Sequence, residues 1–320
     1  MIGTSLLLLL EASGRHARLA LPVGVVLAVL LPDSDGMLKA MAPVILAILV
    51  ASAVVRLDSV SVLKAALKPH RLFRNFLISL SLLVLAPTVL VLTARGLGFD
   101  QMLLPFITWY AVAPPIATTI WMCVFLGFTA PIAMEIVVLT NILAPFTGPY
   151  LGGFLLGEAV PISSFELCMR IGAILGGGML AALFFRKLWG AAGVDANRER
   201  LDGVSTLAML AFLVPVFDGI AGLAAGMPLL ALICVGLAFA LNFGSQAFIF
   251  VFGRLLLSQR GKLPEGTRSI AIVAGNRNLG LYFAALPADP FFSLFVAAYQ
   301  LPIYMTPMIA GWFAGRRADV

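Results

Sequence analysis

Charged side chains are scarce in this chain of 320 residues. Only 11% of the residues are Asp, Glu, Lys or Arg, whereas 61% are hydrophobic, and soluble proteins carry about 25% charged residues. Too few charges are present to cover a soluble globule of this size. The apolar runs are long and continuous rather than alternating, which favours helices over a membrane barrel. We therefore predict an all-α polytopic protein whose surroundings are the lipid bilayer.

Residues that support catalysis or metal binding are equally few. The chain has three cysteines, all inside apolar runs and without CxxC spacing, and two histidines. It contains no HExxH, no GxSxG and no glycine-rich phosphate loop followed by lysine. The sequence thus predicts neither an enzyme nor a metal or cofactor site, with bound Na⁺ left as an open question.

Ten apolar runs are long enough to cross a bilayer as helices. They cover roughly residues 17–32, 38–57, 75–95, 102–127, 130–156, 162–189, 204–222, 227–256, 269–287 and 291–315.

Positive charge predicts the orientation of these ten spans. Most of the 21 Lys and Arg residues lie in alternate connections, notably 57–74, 190–203 and 257–268, and such connections stay in the cytoplasm. Both termini are then cytoplasmic, and we expect the inner membrane of a bacterium. Because this asymmetry accounts for the net charge of +6, no nucleic-acid partner is expected. The oligomeric state is left open.

Two of the predicted spans contain helix-breaking residues. In the fourth, Pro114 and Pro115 remove two backbone donors and clash with the preceding turn. In the ninth, Gly275 and Gly280 enclose a polar stretch that includes Arg277. Pro115 and Arg277 are 162 positions apart, about half of the chain. The same kind of interruption therefore occurs at corresponding places in two halves.

An odd number of spans in each half turns the second half upside down. We predict two inverted five-helix repeats, residues 1–160 and 161–320. Inverted repeats that each contain a discontinuous helix are typical of secondary transporters, and half-helix N-termini attract anions. The alternative is that the breaks are kinks that only shape the bundle. The predicted substrate-binding residues are Thr118, Thr119, Asn141, Gln246, Asn276, Arg277 and Asn278.

The segments around these breaks resemble the bile acid:sodium symporter family. Residues 68–87 are similar to the link into its third helix and that helix, 114–145 to its fourth and fifth helices, 242–254 to its eighth and 275–281 to its ninth. The resemblance implies a panel of helices 1, 2, 6 and 7 and a core of helices 3–5 and 8–10. Within that core, helices 4 and 9 would cross at the substrate and sodium sites.

The sodium-ligand positions of that family are mostly lost in this divergent sequence. Only Thr119 keeps an oxygen-bearing side chain, while Arg277 brings a charge that arginine cannot lose in a protein. Na⁺ needs several oxygen ligands, so the resemblance implies a degenerate sodium site. The remaining ligand positions are aliphatic: Leu82, Ile120, Ala133, Val137 and Val273.

The expected function is transport of a small organic anion by alternating access, with weak or absent dependence on sodium. Arg277 would either bind the anion or replace a bound cation structurally. Two alternatives remain open at this point. One is a sodium-coupled organic anion symporter of the same fold, and the other is a membrane binding or sensor protein that does not transport.

Overall fold

The computed structural model describes residues 10–13, 17–30, 34, 37–56, 69–157, 160–258, 262–264 and 266–313. Both termini, for which we predict a cytoplasmic location, lie outside these residues. The regular elements of the described part are helices. They are α1 (Ala17–Val29), α2 (Ala42–Val54), α3 (Pro69–Leu80), α4 (Ala86–Gly96), α5 (Leu104–Val112), α6 (Thr119–Phe125), α7 (Ala130–Leu156), α8 (Ser164–Ala196), α9 (Arg198–Phe217), α10 (Ile220–Gly226), α11 (Pro228–Leu256), α12 (Thr267–Gly275), α13 (Leu279–Ala285) and α14 (Pro290–Phe313).

Two short irregular segments interrupt the α-helical series. A 3-10 turn (Met37–Met41) leads into α2, and a π-helical segment (Ser81–Leu85) joins α3 to α4. In a π-helix each N–H bonds five residues back instead of four, so the turn is wider.

Seven helical segments of the described chain are long and apolar enough to cross a membrane. They are Met37–Val54, Pro69–Gly96, Ala130–Leu156, Ser164–Ala196, Arg198–Phe217, Pro228–Leu256 and Pro290–Ile309. Their outer faces carry large apolar side chains such as Phe154 and Leu255, which are 82% and 75% exposed. Extensive apolar exposure on helices of this length requires a lipid environment. The prediction of an all-α polytopic membrane protein is confirmed.

Three of the ten predicted spans do not form one long helix. The first is represented by α1, which has only 13 residues. The fourth divides into α5 and α6, and the ninth divides into α12 and α13. In the fourth, Pro114 and Pro115 cannot continue a helix. The number of ten crossings therefore stays a prediction.

The chain divides into two compact units. The first comprises residues 1–61, 169–231 and 280–297, and the second comprises 62–168, 232–279 and 298–320. In the first unit α9 packs along α1 and α2, and Arg56 forms an ion pair of 2.5 Å with Asp202. In the second unit α7 contacts α3, α5, α6 and α12. The breaks themselves, residues 113–118 and 276–278, belong to the second unit, whereas α13 from residue 280 onward belongs to the first.

Candidate functional site

The first break separates α5 from α6. Ala113, which directly follows α5, has an extended backbone with φ −65° and ψ 139°. Pro114 and Pro115 follow and have no N–H to donate, and the helix resumes at Thr119. The break is therefore a property of the local sequence, because proline supplies neither the donor nor the space that a helix needs.

The second break separates α12 from α13. Asn276 leaves the helix with φ −98° and ψ 90°, and α13 begins at Leu279. Gly275 lies so close to α11 that an added Cβ would come within 3.0 Å of the Asn242 carbonyl and the Gln246 side chain. Gly280, predicted to border the break on its other side, is the second residue of α13.

The two breaks pair with each other through a single antiparallel β-bridge. Ile116 donates its N–H to the Asn276 carbonyl at 3.0 Å, and Asn278 donates its N–H to the Pro114 carbonyl at 2.7 Å. The bridge is centred on Pro115 and Arg277. Backbone groups that leave a helix within a membrane must find partners in the protein. Here each break supplies the partners of the other, and we call this arrangement the crossing.

The guanidinium of Arg277 lies inside the crossing. The residue is only 4% exposed. Its Nε donates to the Ala274 carbonyl at 2.8 Å, one Nη to the Ala113 carbonyl at 3.1 Å and the other to the Leu82 carbonyl at 3.3 Å. Among the described residues, no carboxylate lies within 4.0 Å of it. A single cation is therefore surrounded by carbonyl oxygens from three chain segments.

The Leu82 carbonyl is available because of the π-helical segment. The Ala86 N–H, which would reach Leu82 in an α-helix, bonds to Ser81 instead. The next donor along the chain would be Pro87, which has no N–H. No helical N–H is left for the Leu82 carbonyl, and the Arg277 guanidinium donates to it instead.

The other two carbonyls are freed by the breaks themselves. In an uninterrupted helix the Asn278 N–H would bond to Ala274, but it bonds to Pro114 across the crossing. Ala113 directly follows α5, and because the helix does not continue, no further turn supplies a donor to its carbonyl. An unpaired buried carbonyl costs about 1–3 kcal/mol, so the guanidinium removes three such penalties at once.

Two buried tyrosines support the second break. The Tyr299 hydroxyl accepts the Arg277 N–H at 2.8 Å and donates to the Gly275 carbonyl at 2.6 Å. Tyr110 donates to the Leu241 carbonyl at 2.7 Å, and the two rings meet edge to face at 5.4 Å. Tyr110 was missed from the sequence, although a tyrosine within an apolar run signals a buried hydroxyl that needs a partner.

An amide network connects α11, the second break and α14. Gln246 donates to the Asn242 side chain at 2.6 Å, and Asn242 donates to the Gly275 carbonyl at 2.9 Å. The Thr306 hydroxyl, which donates to the Pro302 carbonyl of its own helix at 2.7 Å, lies 3.1 Å from the Asn276 side-chain oxygen. The sequence pointed to Gln246 and Asn276 but gave no sign of Thr306, because one threonine in a membrane helix usually bonds within its own helix.

The remaining predicted residues surround the first break. Asn141 donates to the Pro115 carbonyl at 3.2 Å, and the Thr119 hydroxyl donates to Ile116 at 2.7 Å. The Thr118 hydroxyl is buried and has no hydrogen-bond partner among the residues that the structure describes. Asn141, Gln246 and Asn278 are half-buried, unlike the buried Asn276 and Arg277. These three amides are the predicted residues best placed to meet a ligand.

A buried acid lies elsewhere in the second unit. Glu135 on α7 is 4% exposed and accepts a hydrogen bond of 2.5 Å from the Asn75 amide. Arg71 and Arg74 on α3 approach its carboxylate to 3.6 and 3.8 Å. This carboxylate is already compensated by two arginines and is not the counter-ion of Arg277.

The sequence was also compared with known proteins. No family model matches the chain, and no curated protein matches it significantly.

Proposed function

We propose that this protein is a secondary transporter that moves a small organic anion across the membrane without strong dependence on sodium. The observation that carries the proposal is the crossing, in which two broken helices pair around a buried arginine. Irregular backbone persists at membrane depth only when it is buried in protein or lines a cavity. Paired breaks in the two halves of a chain are the arrangement in which transporters bind substrates.

The charge at the crossing favours an anionic substrate. Arg277 stays protonated in a protein and has no carboxylate partner among the described residues. Its positive charge therefore attracts an anion, while the half-buried amides of Asn141, Gln246 and Asn278 supply the polar contacts. Because Arg277 is buried and bonded to three carbonyls, its role is to hold the two breaks together and to make the electrostatic potential at the crossing positive.

The same charge disfavours sodium. Two unit charges about 4 Å apart repel by roughly 4 kcal/mol at an effective dielectric of 20, which is about a thousandfold in affinity. The Leu82 carbonyl, at one of the ligand positions implied by the resemblance to bile acid:sodium symporters, accepts from Arg277. The guanidinium thus takes the place that a coupling cation would hold.

The resemblance also implies a panel that moves against a core. The division of the chain into two compact units supports this in part, since the second unit contains α3 to α7 together with α11, α12 and the end of α14, whereas residues 280–297 belong to the first unit. The crossing would then be carried by the core. Ten crossings in two inverted repeats, a bacterial inner membrane and cytoplasmic termini belong to the same proposal.

Uptake by reconstituted protein tests the proposal. A thermal-shift screen of small carboxylates first selects a substrate, and proteoliposomes then report its saturable uptake and counterflow. Asn141→Ala should raise KM about tenfold, because it removes one polar contact. Thr147→Ala on the same helix, where the hydroxyl bonds only to Leu143, should leave KM unchanged. Saturable binding without any counterflow would indicate a sensor instead.

A further inference from the structure

A polar cavity of about 560 Å³ lies in the second unit where four helices end or begin. Its walls come from the turn between α6 and α7, the last turns of α11, the connection after α11 and the first turn of α12. The connections on both sides of it, after α6 and after α11, face the cytoplasm in the predicted ten-span topology. The cavity shares no residue with the crossing.

Three cationic side chains line this cavity. They are Arg254 on α11, Lys262 in the following connection and Arg268 on α12. The Arg268 guanidinium lies 5.8 Å from the centre of the Phe128 ring. Within the described part of the chain, no carboxylate forms an ion pair with any of the three; Glu265 is outside that part. Like charges around one cavity repel one another, so an anion between them is favoured.

Two helix N-termini meet the same cavity. α7 begins at Ala130 and α12 at Thr267, and neither has a side-chain cap. The N–H groups of a first helical turn have no partner inside the helix and favour negative charge. Ser269, in the first turn of α12, also lines the cavity, and within the described part of the chain its buried hydroxyl has only the Cys123 thiol as a weak partner.

We propose that this cavity binds a phosphate group, carried either by a soluble phosphate compound or by the headgroup of an anionic lipid. The planar guanidinium groups of Arg254 and Arg268 match two phosphate oxygens each, and Lys262 adds a point charge. The first turns of α7 and α12 add backbone donors, although Pro131 has no N–H and the Thr267 N–H already bonds to the Pro264 carbonyl at 3.2 Å. Cationic residues that serve only to retain a loop in the cytoplasm need neither a shared cavity nor free donors. The inference does not depend on the transported substrate.

Binding measurements distinguish the two sources of the phosphate group. In one arm, the full-length protein in phosphatidylcholine nanodiscs is titrated with pyrophosphate in a calorimeter. In the other, native mass spectrometry records retention of phosphatidylglycerol by the detergent-solubilised protein. Lys262→Gln and Arg254→Gln are compared with Lys187→Gln, an exposed cation on α8 in the first unit. Because Lys262 is itself exposed, its replacement leaves the fold intact.

We expect binding in at least one arm, weakened about tenfold by either cavity substitution and unchanged by Lys187→Gln. Binding of pyrophosphate alone identifies a soluble ligand, and retention of lipid alone identifies a headgroup. The proposal is overturned if neither ligand binds, if the cavity substitutions leave binding unchanged, or if Lys187→Gln weakens it equally.

Discussion

The two breaks have the same shape but different origins. Pro114 and Pro115 prevent a helix whatever surrounds them, because they lack N–H groups. At the second break, Asn276, Arg277 and Asn278 are all able to join a helix. That segment stays open because other parts of the chain hold it, including the Tyr299 hydroxyl and the antiparallel pairing.

The two breaks therefore have different functions in the crossing. The first break is fixed by covalent structure and provides carbonyls, whereas the second is fixed by tertiary contacts and provides the charge. Substitutions at the second break should therefore cost more stability than substitutions at the first. All stability effects below refer to the free energy of unfolding, measured by reversible unfolding in mixed detergent micelles.

The largest effect is expected for Arg277→Met. This change leaves the carbonyls of Leu82, Ala113 and Ala274 without their donors. At about 1–3 kcal/mol per unpaired carbonyl, and after relief of the buried charge, we expect a loss of about 3 kcal/mol. Arg277→Lys keeps the charge but reaches fewer carbonyls, so its loss should be intermediate. Equal stability of Arg277→Met and the wild type would contradict the role given to the guanidinium.

Tyr299→Phe should cost about 2 kcal/mol. It removes the acceptor of the Arg277 N–H and the shortest of the hydrogen bonds to the Gly275 carbonyl in one step, and both groups are buried at the second break. Tyr304→Phe deletes a hydroxyl from the same helix, five residues further on, and serves as the control. A loss of similar size in both variants would mean that the hydroxyl of Tyr299 has no special function at the break.

Gly275→Ala should cost about 1–2 kcal/mol through overpacking. The new methyl group would meet the Asn242 carbonyl and the Gln246 side chain of α11. Gly244→Ala on α11 is the matched control, because an added Cβ there meets nothing within 4 Å. If Gly275→Ala were as stable as Gly244→Ala, α12 and α11 would have to be further apart than described.

Pro115→Ala should cost less than about 1 kcal/mol. Pro114 still interrupts the helix, and the pairing from Asn278 to the Pro114 carbonyl is untouched. The loss comes mainly from the greater freedom of the unfolded chain. If Pro115→Ala cost more stability than Tyr299→Phe, the first break rather than the second would be the more sensitive to substitution, contrary to this expectation.

The smallest effect is expected when Na⁺ is removed and the uptake rate is measured. Replacing Na⁺ by choline at constant pH should leave the initial uptake rate of the wild type nearly unchanged. Arg277→Gln removes the repulsion and exposes carbonyl oxygens, so Na⁺ should raise its melting temperature while choline should not. Uptake by the wild type that rises steeply with Na⁺ would show that backbone carbonyls rebuild a cation site beside Arg277.

The sequence was sufficient to locate both breaks but not to find what Arg277 touches. Prolines and a run of Gly, Asn and Arg act locally, so their effect is visible in the sequence. The carbonyls of Leu82 and Ala113 are backbone groups that any residue carries, and no composition rule marks them. The arginines around Glu135 could not be assigned either, because Arg71 and Arg74 are about 60 positions away and meet it only through the packing of α3 on α7.

The π-helical segment also sets the helical phase of the chain from α3 to α4. Buried residues recur here at every fourth position, through Asn75, Ser79, Leu83, Pro87 and Val91. In a continuous α-helix, each step of four residues would turn this stripe by about 40°, and four steps would carry it to the opposite face. The wider turn at Ser81–Leu85 offsets part of that rotation. Removing one residue from the segment would rotate Pro87 and Val91 by about 100° relative to Asn75, and one face of the helix pair would no longer be buried along its whole length.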